Sequence, residues 1–323
     1  MEIQSKKMKD LLQKAKSIAL FGHINPDGDC IWSLLWFWSL LEKQGKKVHY
    51  FTPTKPSKIY NFLPGIEKIK DKCDYGKYDL LVFLDFSDFS RIQDFIDGHE
   101  EYFHNHTVII IDHHVSKWFP KSWLVKSDPN AMSACEVIFE LTYPWWPKLY
   151  DATIATYFYL GLTTDSWNFR YDEDHERILK NALKLVQLGA DKKAVVDNAF
   201  RRKSLAGIKM MELLFKRLTK KWDLVYTWYT DKDIKKLGID REEADYGQII
   251  IQDVQEAKIT AIFRNEGKRF NWSLRTKYDN VEKIAKQFGG GGHIHAAGFK
   301  LPAEKSFSKQ IQKVVKQMLS YMK

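Results

Sequence analysis

The chain has 323 residues, more than a single hydrophobic core usually supports, so two domains are expected. Hydrophobic residues make up 44% and charged residues 28%, which excludes an intrinsically disordered chain. The formal net charge of +10 suits either a lysine-rich solvated surface or polyanionic partners such as nucleic acid, and charge alone does not separate the two.

The first residues, MEIQSKKMKDLLQKAK, read as a charged amphipathic helix without the apolar core of a signal peptide. SIALFG (17–22), LLVFLD (80–85) and VIIID (108–112) are continuous apolar runs, the pattern of strands buried on both faces of a parallel sheet. Helical patterns fall at roughly 30–44, 132–141, 150–162 and 174–188. This order predicts an α/β domain with a doubly wound, mainly parallel sheet. The most apolar stretch, Ile31 to Leu41, falls short of the roughly 20 residues a bilayer requires and reads as a buried helix. Cys30, Cys73 and Cys135 form no CxxC pair, which argues against a disulfide framework or a zinc–thiolate site. A reducing, cytoplasmic setting is the expectation.

Past Gly189, charged helical segments run to about Lys220. Strands are expected near 222–229, 258–264 and 268–276, then a glycine run at 289–292 and a C-terminal helix from about 303. The expected organisation is a catalytic domain over 1–189, a helical connector over 190–220 and a smaller α/β domain over 221–323.

Each apolar run of the first half leads into residues that bind metals. The first enters HINPDGDC, with His23, Asp27 and Asp29; the second closes on Asp85; the third on Asp112, His113 and His114. A weakly charged helix then reaches TTDS and adds Asp165. In open α/β sheets the ligand crevice lies beyond the carboxyl ends of the strands, so four segments would deliver acids and imidazoles to one rim. Carboxylates crowded there repel one another unless cations intervene. A carboxylate and imidazole set without thiolates suits manganese, with magnesium, iron and zinc as alternatives.

These strings resemble the DHH/DHHA1 phosphoesterase family, named for the triplet present here as Asp112-His113-His114. The resemblance extends through HINPDGD, LDFSDFSR (84–91), GLTTDS (161–166) and FGGGGHIHAAGF (288–299), in the family's order. The last segment marks a DHHA1-type substrate domain and separates the chain from family-II pyrophosphatases. The length resembles the stand-alone nano-RNase and pAp phosphatase branch. The resemblance implies two manganese ions, with magnesium or other divalent cations as substitutes. His23 and Asp27 would bind one, Asp29, His113 and Asp165 the other, and Asp85 would bridge them. His114 matches the position that contacts the scissile phosphate, and Asp112 would orient its neighbours.

The implied chemistry is metal-assisted hydrolysis of short single-stranded RNA to mononucleotides, with pAp 3′-phosphatase activity as a possible companion. Cyclic di-AMP or linear pApA hydrolysis is the alternative, and a nucleotide-binding protein with decayed activity the remote one. The C-terminal unit would select substrate through Gly290, Gly291, Gly292 and His293, with Arg275 suited to phosphate and Arg264 a further candidate. No membrane partner is expected, and a homodimer is compatible with the sequence. Trp32, Trp167 and Trp272 stand where the resemblance leads one to expect glycine. They are either ordinary divergence or the product of UGA codons that the source reads as glycine.

Overall fold

The computed structural model describes residues 2–86, 89–114, 119–170, 175–277, 279–292 and 294–322. It divides into two compact units, Met1–Arg202 and Lys203–Lys323.

The first unit opens with helix α1 (Glu2–Lys14) and strand β1 (Ser17–Phe21), followed by α2 (Gly28–Glu42), β2 (Lys47–Phe51) and β3 (Leu80–Leu84). Two short helices, α3 (Gln93–Ile96) and α4 (Glu100–Asn105), lead to β4 (Val108–Asp112) and β5 (Leu124–Ser127). Helices α5 (Ala134–Thr142), α6 (Ala152–Asp165), α7 (His175–Gln187) and α8 (Lys192–Val195) complete the unit, with a π-helical turn over Val196–Phe200.

The five strands pair in parallel in the order β2-β1-β3-β4-β5. Alternate residues of the central strands enter two different cores. Ile18, Leu20, Leu80, Val82, Leu84, Ile109 and Ile111 pack with α2, α5 and α6, while Ala19, Phe21, Leu81, Phe83, Val108 and Ile110 pack with Phe95 and Phe103 from α3 and α4. Both faces are therefore apolar, which is why these strands read as unbroken hydrophobic runs. The expected α/β, doubly wound, mainly parallel sheet is the one found. The strands over 47–51 and 124–127 escape that reading because they form the two edges; KVHYF mixes polar and apolar residues, and all four residues of β5 are only half-buried.

The second unit comprises α9 (Leu205–Lys216), β6 (Thr219–Lys221), β7 (Leu224–Thr230), α10 (Asp231–Leu237), α11 (Arg241–Ile251), β8 (Ile259–Asn265), β9 (Arg269–Thr276), α12 (Val281–Gln287), β10 (Gly291–Gly292), β11 (Ala296–Pro302) and α13 (Phe307–Tyr321). Its sheet runs β10-β11-β9-β8-β7-β6, antiparallel except for the β7–β8 pair. One face meets α12 and α13 through Phe263, Trp272, Leu274 and Phe299; the other meets α9 and α11 through Tyr229 and Ile262. The segment expected as a connector holds α8, the π-helical turn and α9.

Candidate metal centre

The strand order reverses around β1: β2 lies on one side of it and β3 on the other. Such a switch point opens a crevice beyond the strand ends. His23 follows β1 by two residues, Asp85 follows β3 directly, and Asp112 closes β4 ahead of His113 and His114. Asp27 caps α2, its carboxylate accepting from the Cys30 N–H at 3.2 Å, and Asp29 lies in the helix's first turn. Asp165 is the last residue of α6. All six expected metal-binding residues therefore meet at one rim.

Asp85 is their centre. Its Oδ2 lies 3.5 Å from His23 Nε2, and its Oδ1 lies 3.6 Å from His113 Nε2 and 3.4 Å from His114 Nδ1. His23 Nε2 is 3.6 Å from Asp27 Oδ2, and His113 Nε2 is 3.9 Å from Asp165 Oδ2. Ligand atoms fall within 4.8 Å of one another in three sets: Asp85, Asp112, His113 and His114; His23, Cys30 and Asp85; Asp29, His113 and Asp165. Asp85 is buried with φ at 50°, a left-handed conformation that costs a side-chain-bearing residue about 1–2 kcal/mol. Strain of this kind persists where the surrounding structure enforces it, and such places are commonly functional.

The groups behind these side chains fix their aim. His23 Nδ1 is 2.8 Å from the Ile24 carbonyl, and His113 Nδ1 is 3.3 Å from that of Ala131. Both contacts anchor Nδ1 and turn Nε2 toward the carboxylates. Asp112 Oδ1 accepts from the His113 N–H (2.7 Å), the His114 N–H (3.1 Å) and His114 Nδ1 (2.7 Å), so it orients the pair that follows it. Asp29 accepts from Ala134 N–H (2.6 Å) and Cys135 N–H (3.0 Å), where the free amides of a helix N-terminus favour an anion.

Ionisation follows the crowding. Burial pushes the Asp29 carboxyl up, and the Asp85 charge pushes it further. Burial would lower His23, yet the charge of Asp27 and the nearby Asp85 carry it up to about 9. The acids around this buried imidazole thus demand positive charge. Burial opposes ionisation of Asp112, but its hydrogen bond and charge contact with His114 bring it down to about 2. Burial likewise opposes protonation of His114, and the bond to Asp112 reverses the effect and raises it.

The donor set fits divalent cations. Asp85 Oδ1 is buried and has no hydrogen-bond partner among the described residues, an arrangement that costs about 1–3 kcal/mol or more unless something positive approaches it. Carboxylates and imidazoles surround that oxygen. The nearby Cys30 thiol adds no thiolate, because burial and then the Asp85 charge push it up and keep it protonated.

Arg91 carries no role in the sequence reading, yet its Nη2 lies 2.8 Å from Nδ1 and 2.9 Å from Nε2 of His23. Its carbonyl also accepts from the Ile24 N–H at 2.8 Å. Its place in LDFSDFSR was the available signal, but no spacing rule brings residue 91 back onto residue 23.

The expected substrate residues lie in the second unit. Arg275 pairs with Ala296 of β11, and Gly292 pairs with Ala297 one residue on, so arginine and glycine run share one end of the sheet. The amides of Gly289 and Gly290 close α12 by donating to Lys286 and Ala285 carbonyls. A Cβ on Gly290 would lie 2.2 Å from the Gly298 carbonyl oxygen, so backbone packing already requires that glycine. Arg264 is engaged inside the unit, its Nη1 2.7 Å from Asp245 Oδ2 and its Nη2 hydrogen-bonded to Ser273 Oγ. His293 lies outside the described residues.

The N-terminal domain model of the DHH family matches residues 17–162, and the DHHA1 domain model matches residues 236–323. The chain belongs to the DHH/DHHA1 family. It is 26% identical over 312 residues to the bifunctional oligoribonuclease and PAP phosphatase NrnA of Mycoplasma pneumoniae, covering 95% of this chain and 94% of that one. Among solved structures, an exopolyphosphatase-related protein from Bacteroides fragilis superposes with a TM-score of 0.87 at 21% identity, over 99% of this chain and 96% of that one. RecJ from Thermus thermophilus in complex with Mn2+ superposes with a TM-score of 0.59 at 15% identity, over 98% of this chain and 54% of RecJ. The DHH/DHHA1 member described here is a phosphoester hydrolase. Among its described residues no helix is long and apolar enough to cross a membrane.

Proposed function

We propose that this DHH/DHHA1 protein hydrolyses short single-stranded oligoribonucleotides to mononucleotides, using two divalent cations, manganese first among them. The buried Oδ1 of Asp85, without a hydrogen-bond partner among the described residues and faced by His113 and His114 while His23 faces Oδ2, is the observation that carries this reading. His23 and Asp27 would hold one cation, Asp29, His113 and Asp165 the other, with Asp85 shared. The manganese in the RecJ structure, which has the same fold, accords with that choice. Divalent cations at such a site neutralise phosphoryl oxygens and make hydroxide available near neutral pH.

The chain's own groups do the rest. Asp112 holds His114 by Nδ1, and we assign Nε2 the role of donating to a phosphoryl oxygen as negative charge grows on it. Asp29, held at the start of α5, and Asp165, at the end of α6, bring two helix termini to within reach of His113. In the second unit we assign substrate selection to Arg275 and to Gly291 and Gly292, with Gly290 giving the run its close approach, His293 as its neighbour and Arg264 supporting from within. The relative named as both oligoribonuclease and PAP phosphatase favours pAp as a second substrate.

The test is hydrolysis of a labelled RNA trinucleotide, pAp and cyclic di-AMP side by side, with manganese and with a chelator. Mononucleotides released from the trinucleotide and abolished by chelation support the reading. Faster turnover of cyclic di-AMP would replace it with cyclic dinucleotide hydrolysis, and inactivity on all three with manganese bound would leave a nucleotide-binding protein.

A further inference from the structure

Helix α6, whose last residue is Asp165, closes with two reverse hydrogen bonds: residue 167 N–H to the Thr164 carbonyl (3.1 Å) and Asn168 N–H to the Thr163 carbonyl (2.7 Å). This pattern forces a left-handed conformation on the residue between, and Trp167 has φ at 49°; Asn168 and Phe169 continue the left-handed turn at 59° and 65°. Helices α2, α7 and α12 close in the same way, α2 with Gly45 and Lys46 donating to Glu42 and Leu41. After α7, Gly189 and Ala190 donate to Val186 and Leu185; after α12, Gly289 and Gly290 donate to Lys286 and Ala285. In all three, the left-handed residue is glycine, with φ at 74°, 95° and 74°. At α6 it is the bulkiest side chain available, whose Cβ crowds the following carbonyl in this conformation.

The second unit repeats the mismatch. Lys221 pairs with Leu224, so β6 and β7 are joined by the two residues Trp222-Asp223. Trp222 has φ at 54°, and Asp223 is not in the positive-φ region. A two-residue hairpin with positive φ at its first position alone is a type II′ turn, and that position belongs to glycine. Trp222 is 78% exposed, so little burial of its ring offsets the conformational cost.

We propose that positions 167 and 222 are glycine in the native protein, and that glycine at 167 is a positioning residue that sets where α6 stops and so where Asp165 presents its carboxylate. The positioning half rests on the proposed metal role of Asp165; the identity half does not. Tryptophan and glycine are linked by one codon, since UGA is read as tryptophan in some genetic codes and as glycine in others. Composition agrees: there are 11 tryptophans and only 17 glycines in 323 residues, where glycine ordinarily makes up about 7%.

Trp32 is fully buried and its Nε1 has no partner among the described residues, but the same is true of Trp36 and Trp272, so its packing does not single it out. Its backbone is ordinary helix, so positions 167 and 222 alone carry the proposal. Trp272 stays outside it, because its backbone is regular strand and its ring stacks on Phe299 at 5.3 Å.

Peptide mass spectrometry of the protein purified from its source, set beside the codons of its gene, decides the identity. Glycine masses at 167 and 222 with UGA codons are expected; a tryptophan mass or a UGG codon at either position overturns the proposal there. Recombinant chains give an independent readout. Trp167→Gly and Trp222→Gly are expected to raise Tm by about 2–4 °C, and the matching alanine variants to fall short, since alanine keeps the left-handed penalty. The Trp167 ring packs edge-on to Phe200 at 6.2 Å, so a native tryptophan predicts the opposite, with Trp167→Gly less stable than the unsubstituted chain. Manganese titration by calorimetry tests the positioning. A several-fold tighter Kd is expected in Trp167→Gly and no change in Trp222→Gly; an unchanged Kd in Trp167→Gly removes the positioning role and leaves the identity to the masses.

Discussion

His114 Nδ1 lies 2.7 Å from Asp112 Oδ1, and that same oxygen also receives the backbone N–H groups of His113 and His114. One carboxylate thus sets the backbone turn after β4 and the orientation of the ring that follows. Asp112→Asn keeps one acceptor oxygen but removes the negative charge that strengthens all three bonds. Turnover is expected to fall by about 10–100-fold, in the range of other groups that orient site residues, while manganese content stays near wild type. Elemental analysis beside a kinetic assay separates this from ligand loss, and a variant that had lost its metal would place Asp112 among the ligands instead.

Asp85→Ala removes the carboxylate shared by both proposed cation sites. Activity is expected to vanish and manganese content to drop with it. Stability offers a second readout. Saturating manganese should raise the wild-type Tm, because a ligand that binds only the folded state stabilises it by mass action, and should leave Asp85→Ala unmoved. Without metal the variant is expected to be at least as stable as wild type, since it sheds a buried unpaired oxygen and a repulsion on Asp29. Full activity with full metal occupancy would end the bridging assignment.

Arg177 on α7 reaches Glu140 Oε2 and Asp128 Oδ2 (2.9 Å), and lies 3.9 Å from the buried Glu136. Asn181 Nδ2 also donates to Glu136 at 2.7 Å. This cluster ties α7 to α5, whose first amides hold Asp29. Arg177→Met leaves acidic groups without their cation and is expected to cost about 3 kcal/mol of stability, measured by urea unfolding. A loss below about 1 kcal/mol would mean that solvent already satisfies the cluster.

In the second unit, Asp233 closes a reciprocal cap with Thr230 at the start of α10 and pairs with Arg217 at 2.8 Å. Burial opposes its ionisation, but the bonds from Arg217 and Thr230 prevail and hold its carboxyl below the ordinary value of 3.8. A folded-state value below the unfolded one means that its contribution is complete above the unfolded value and is lost as pH falls through the folded one. Asp233→Asn is therefore expected to destabilise the protein by about 1 kcal/mol at neutral pH. The gap from wild type should narrow as pH is lowered from about 5 toward 3 in parallel thermal scans. A gap independent of pH would assign the effect to cap geometry rather than charge.

Much of the centre was legible because strand ends are local events. A run buried on both faces cannot avoid being apolar, so its end is marked in the sequence, and Asp85, Asp112 and His113 stand at such ends. Asp27 and Asp29 were legible in the same way, as the polar start of an apolar helix. Arg264 shows the opposite case: an arginine near the end of a strand looks the same whether it meets solvent or, as here, Asp245 across the fold. The glycine run was visible as a run, but its first two amides proved committed to capping α12.

By itself, then, the sequence determined the period, class and order of the buried elements and the chemistry carried at their ends, because hydrophobic burial imposes its pattern residue by residue along the chain. Only the tertiary structure decided which ends meet. The order β2-β1-β3-β4-β5 set His23 beside Asp85, the start of α5 received Asp29, and Arg91 came back onto His23. It also decided which described residues other than glycine bear left-handed backbone: Asn25, Asp85, Trp167, Asn168, Phe169 and Trp222. Contacts between residues far apart in the chain are chosen by the packing of whole faces and by buried groups seeking partners, and no local pattern encodes that choice.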